Sequence, residues 1–125
     1  MKKYSMYAKR PFSTYYLLIN KNLRNEPGKY LAGYLAHELC HFEEYRKMNL
    51  FQYSIHCIRT MFRKYRMKIE RNTDIKTIQK GYGKELLFAR KEDEKELGKK
   101  RFEQATKDYL KIKEIELLVK NHKRD

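Results

Sequence analysis

Ala36-His37-Glu38-Leu39-Cys40-His41-Phe42-Glu43-Glu44-Tyr45 decides how the rest of this chain is read. His37, Glu38 and His41 form an H-E-x-x-H pattern that uses two of the four histidines. In an α-helix, positions i and i+4 share a face one turn apart, so both imidazoles can reach one metal ion. Zinc, held tetrahedrally by nitrogen and oxygen ligands, suits such a pair. Glu38 projects to one side, where its carboxylate can take a proton from water that the metal acidifies. The wheel groups Gly33, His37, His41 and Glu44 on one side and Leu31, Leu35, Leu39 and Phe42 on the other. The expectation is a helix that buries its leucine side and turns its histidines into a cleft.

Length and composition set the frame. A chain of 125 residues makes one domain with a real core and no room for a second. Hydrophobic residues at 41% argue against wholesale disorder despite 37% charged residues. No apolar run approaches the roughly 20 residues a membrane span needs. The start, Met1 to Met6, lacks a secretory leader's apolar segment. Two cysteines do not make a disulfide framework, which points to a reducing cytoplasm. Cys40 reads as a small helix residue and Cys57 as core filler.

The chain reads as short N-terminal strands followed by helices. A strand is expected within the first 12 residues around Tyr4–Tyr7. A better one runs over Thr14–Ile19, closed by Asn20-Lys21-Asn22. Asn25 is a candidate N-cap, with Pro27 in the first turn of a helix that runs to about Met48. Asn49 breaks it. A second helix spans about 50–62, with Phe51, Ile55, Ile58 and Phe62 at helical spacing. A third covers about 64–80, with Met67, Ile75 and Ile78. Gly81-Tyr82-Gly83 interrupts before a fourth at about 84–96. Beyond Gly98, Leu110, Ile112, Ile115, Leu118 and Val119 give a last helix its apolar side.

A catalytic zinc needs a third ligand. No further histidine follows His41 within a dozen residues. Glu44 is seven residues from His37, about 10 Å along the axis, too far to share the ion. Glu43 points elsewhere. Glu70-Arg71-Asn72-Thr73-Asp74 offers a better source. Glu70 and Asp74 are the only acids between Glu44 and Glu85, at a like-charge i, i+4 spacing that costs helix stability unless compensated. Glu70 can complete a His/His/Glu site, and Asp74 can accept the free ring N–H of a ligating histidine.

H-E-x-x-H on one helix and E-x-x-x-D on a later one, about 30 residues on, resembles the gluzincin metallopeptidases. The tighter resemblance is to the minigluzincins, minimal soluble members similar to the catalytic cores of HtpX-type and CaaX-processing membrane peptidases. It covers about residues 14–90. It implies an α+β fold, mainly helical, with a small N-terminal β-sheet packed on the H-E-x-x-H helix and the glutamate helix, and further C-terminal helices. His37, His41 and Glu70 would bind one zinc per chain, Glu38 would be the general base, and Asp74 would support a ligand. The implied activity is zinc-dependent hydrolysis of peptides or unfolded proteins, with an edge strand near Thr14–Ile19 pairing with the substrate. Unlike the membrane relatives, this chain has no flanking membrane helices.

Some roles stay open. Tyr82 is a candidate for stabilising the oxyanion. His56 reads as lying beside a hydrophobic helix and His122 as part of a frayed tail. Residues 91–125 carry no motif and could brace the core, dimerise, or fold across the cleft and keep the enzyme latent. The net charge of +14 supports an alternative: a basic nucleic-acid-binding domain, or a catalytically silent domain with a structural zinc. Residues 1–80 hold 17 Lys/Arg against 6 Asp/Glu, a balance of +11, densest at Arg59, Arg63, Lys64, Arg66, Lys68 and Arg71. Such a patch binds phosphate non-specifically at low salt. No recognition module accompanies it, and a solvated face explains it as well.

Overall fold

A computed structural model describes residues 6–9, 16–19 and 26–122. Two short strands, β1 (Met6–Lys9) and β2 (Tyr16–Ile19), precede six α-helices. These are α1 (Gly28–Arg46), α2 (Leu50–Arg59), α3 (Arg63–Thr77), α4 (Gly83–Leu97), α5 (Lys99–Ala105) and α6 (Ile112–His122). No helix among the described residues is long and apolar enough to cross a membrane.

The α+β class implied by the resemblance is corrected: the fold is helical. The described β structure amounts to one antiparallel ribbon of two four-residue strands, with Met6 opposite Ile19 and Lys9 opposite Tyr16. Two such strands form no sheet layer, and alone they are marginal in water. Among the described residues, no sheet layer beyond this ribbon is present. The ribbon is held by its anchorage on helices: Met6 is buried with Tyr30, Tyr34 and Ala89, and Leu17, Leu31 and Phe88 pack around them. Thr14 and the proposed cap Asn25 lie outside the described residues. Pro27 precedes the first turn of α1 rather than lying within it.

Asn49 ends one helix and starts the next. Its side chain accepts from the Gln52 N–H while the Gln52 side chain accepts from the Asn49 N–H, a reciprocal capping box for α2. The predicted interruption at Gly81-Tyr82-Gly83 is a π-turn over Ile78–Tyr82, with Gly81 at φ +97°. That backbone conformation is open to glycine at little cost. It redirects the chain so that α4 returns along α1. A second core then forms from Ile78, Leu86, Leu110 and Ile115, joined by Ile75, Leu118 and Val119.

The orientation of α1 is the reverse of the expected one. Its buried side carries Tyr30, Gly33, Tyr34, Ala36, His37, Cys40, His41 and Tyr45, while Leu35 and Leu39 are 37% and 50% exposed. Gly33 explains the choice. A Cβ there would lie 2.5 Å from the Glu85 carbonyl oxygen and 2.9 Å from the Leu86 nitrogen, so α4 approaches α1 backbone to backbone. The face that can be approached this closely is the histidine face, and Leu35 and Leu39 are left outside while Leu31 packs at the margin of the core. Of the apolar residues at helical spacing in the second helix, Phe51, Ile58 and Phe62 are exposed, and Cys57 is exposed rather than core filler.

Gly33→Ala separates propensity from packing. Alanine improves helix propensity by about 1 kcal/mol, but the methyl would press on rigid backbone, for which overpacking costs of about 1–3 kcal/mol are typical. Net destabilisation is expected in urea unfolding; a more stable variant would show that α1 and α4 are not in this close contact.

Candidate metal centre

Three residues predicted from separate stretches converge. His37 and His41, a turn apart on the buried side of α1, have ring centroids 4.9 Å apart. Glu70 comes across from α3. Its Oε1 lies 2.8 Å from His41 Nε2, and its Oε2 lies 3.7 Å from His37 Nε2. One ligand atom from each of the three falls within 4.8 Å of the others. His37 Nε2 is buried and has no hydrogen-bond partner. A buried polar atom left unpaired is costly. Here it is a lone pair aimed at the point where the three ligands meet, so the residues fit a cation bound by two nitrogens and a carboxylate.

Asp74, one turn along α3, fixes that lone pair. Its Oδ1 lies 2.8 Å from His37 Nδ1. A carboxylate can only accept, so Nδ1 carries a hydrogen in either charge state and Nε2 is the atom whose proton a cation would replace. Asp74 is wholly buried and is met on its other edges by Arg90 of α4 at 2.9 and 3.2 Å and by the Leu110 N–H at 3.0 Å. Burial would raise the Asp74 pKa, but Arg90 and His37 outweigh it and hold the carboxyl below its usual range. Arg90 is itself 1% exposed. Burial would lower its pKa, yet Asp74 drives it upward. Its guanidinium also lies over the rings of Tyr34 and Tyr109, 5.7 and 4.7 Å from their centroids.

The electrostatics of the ligands follow the same logic. Burial would lower the His37 pKa, but the carboxylates of Asp74 and Glu70 overcome it and push it up to about 10. Burial would raise the Glu70 pKa, and the two histidines drive it far down instead. The two carboxylates thus favour positive charge at His37, supplied by a proton or by a cation at Nε2. Glu38 is raised by burial, partly offset by His37 and His41. Its Oε2 accepts the Ala8 N–H from β1 at 3.0 Å, and the Ala8 carbonyl accepts from Tyr45 at 3.4 Å.

Two partners of the site went unread in the sequence. Arg90 had a usable signal, a lone arginine between Leu86 and Asp93 on the inner side of α4. Tyr109 had none. It lies in the linker before α6, with its ring 5.7 Å from His37, and burial together with the nearby Glu70 carboxylate raises its hydroxyl pKa. Other candidates fall elsewhere. Tyr82 is exposed beside Leu35 and Leu39 on the outer side of α1, away from the ligands. His56 is buried on α2 with Nδ1 2.8 Å from the Tyr65 hydroxyl, and His122 is exposed at the end of α6. Glu43 and Glu44 tie α1 to Lys80 and Lys76 as ion pairs.

Asp74→Ala would strand the Arg90 guanidinium in the interior, at a cost of about 3–5 kcal/mol. Adding Arg90→Leu should restore part of that stability, because it removes the orphaned charge. Equal unfolding midpoints for parent and Asp74→Ala would contradict this network. No known family model, curated protein or solved structure matches the chain.

Proposed function

We propose that the protein is a zinc-dependent peptidase of the gluzincin type, with His37, His41 and Glu70 as ligands and Glu38 as general base. One observation carries this reading: Glu70, 33 residues beyond His37, sets its carboxylate against both imidazoles while Asp74 fixes the His37 tautomer. Bound zinc would supply Lewis acidity, polarising a scissile carbonyl and lowering the pKa of water towards about 7. Glu38 is the group beside the ligands able to accept the water's proton at a carboxylate oxygen and return it to the leaving amine. Its raised pKa brings it nearer to that double role.

The same geometry supports a latent resting form. The Ala8 N–H occupies Glu38 Oε2, so a backbone group of β1 sits on the base that must receive a proton. The basic patch gives weaker support to the nucleic-acid alternative. Arg66 and Arg63 share Asp108, and Arg71 grips Glu114 at 2.6 and 3.1 Å, so part of the patch ties α3 to the C-terminal segment.

About one zinc per chain should survive gel filtration and be lost from His41→Ala. Glu38→Gln should keep the zinc while hydrolysis of an unfolded protein falls at least about 100-fold. Ala8→Pro removes the N–H held by Glu38 and should raise the rate by about tenfold or more, as expected for one hydrogen bond to a charged group. Zinc retention and loss of stability on chelation, with no turnover in the parent or in Ala8→Pro, would instead select the silent structural-zinc reading. Undiminished hydrolysis by Glu38→Gln would remove Glu38 from the mechanism.

A further inference from the structure

The second helix is amphipathic with its apolar side outward. Leu50, Phe51 and Ile58 fall within about 100° of the helical wheel, at 50%, 73% and 60% exposed. Met61 and Phe62 follow in the next turn at 78% and 66%. His56 lies on the opposite side of the wheel, and it is this side that is buried, against Tyr65 and the Tyr45 ring. The helix is capped, so its outward apolar face is presented by a defined structure. Contiguous exposed apolar surface of this kind marks an interaction site.

Charge indicates what the face meets. Residues 45–69 contain seven Lys/Arg and no Asp/Glu. Arg59, Arg63, Lys64 and Lys68, which flank or follow the apolar residues, are all exposed. Among the described residues, the acids paired with this region are Asp108, shared by Arg63 and Arg66, and Glu44, paired with Lys47 at its edge. Pairing two copies through this face would bring their cations within a Debye length of one another, about 8–10 Å at ordinary salt. A projecting apolar stripe bordered by cations has the form of an interfacial helix, whose side chains enter the acyl boundary while Lys and Arg reach lipid phosphates.

We propose that α2 and the turn after it bind the surface of an anionic lipid bilayer, with Leu50, Phe51, Ile58, Met61 and Phe62 entering the interface and the neighbouring cations contacting phosphates. This goes beyond the peptidase reading and does not rest on it. The helix lies on the surface and does not span.

The test is flotation of the full chain with vesicles of phosphatidylcholine and phosphatidylglycerol in about a three-to-one ratio, against phosphatidylcholine alone. The parent is expected to float with the anionic vesicles and to dissociate as salt rises. Ile58→Ser with Phe62→Ser leaves the charge unchanged and should lower partitioning at least tenfold without moving the thermal midpoint. Phe51→Trp provides a check in the otherwise wild-type chain: it would be the chain's sole tryptophan, and its emission should shift to shorter wavelength on the anionic vesicles. Absence of binding, binding undiminished in the serine variant, or unshifted emission would each overturn the proposal. Self-association without lipid that the serine variant abolishes would assign the face to a second copy and overturn it too.

Discussion

A single buried carboxylate organises this molecule. Desolvating an anion in a protein interior costs several kcal/mol unless it is thoroughly paired. Asp74 meets that demand with groups from three places at once: the His37 ring on α1, the Arg90 guanidinium on α4 and the Leu110 N–H ahead of α6. Each partner is drawn inward because the carboxylate is there. α1 buries its histidine side, α4 carries an arginine into the core, and the linker before α6 folds across the site. Polar pairing here fixes arrangement more than net stability, since the buried charges must first repay their own desolvation.

The candidate site is therefore inseparable from the fold. His37 is both the ring that Asp74 orients and a candidate ligand facing Glu70; the Tyr109 ring lies 5.7 Å from His37, and Arg90 lies over it. Glu38, electrostatically coupled to His37, His41 and Glu70, also accepts the Ala8 N–H, which joins the N-terminal strands to the candidate site. Support for the ligands comes from the segment after Leu97 as well as from the H-E-x-x-H and E-x-x-x-D helices. A stretch without motifs thus completes the surroundings of the candidate metal centre.

What could be read from the sequence was local or repeated at helical spacing. His37, Glu38 and His41 declare themselves at i, i+1 and i+4, and Glu70 with Asp74 stand out because the chain around them is cationic. Periodicity defined a stripe on α1 but not its direction. It took the leucines as core, whereas the close approach permitted by Gly33 favoured the opposite face. The sheet expectation came from resemblance, and the short ribbon does not bear it out. Tyr109 was illegible because a linker residue is placed by tertiary packing, with no period to betray it.

The π-turn at Ile78–Tyr82 has a consequence for chain length. Between Asp74 and Arg90 the path passes through one non-helical residue, Gly81, and that residue sets the rotation at which α4 leaves. Each residue of helix turns the following side chain by about 100°. Deleting or inserting one residue there would swing the guanidinium off the carboxylate and rotate Leu86 out of the hydrophobic cluster with it. The spacing between the two charges is thus as firm a requirement as their identity, and length variation should be tolerated outside this interval rather than within it.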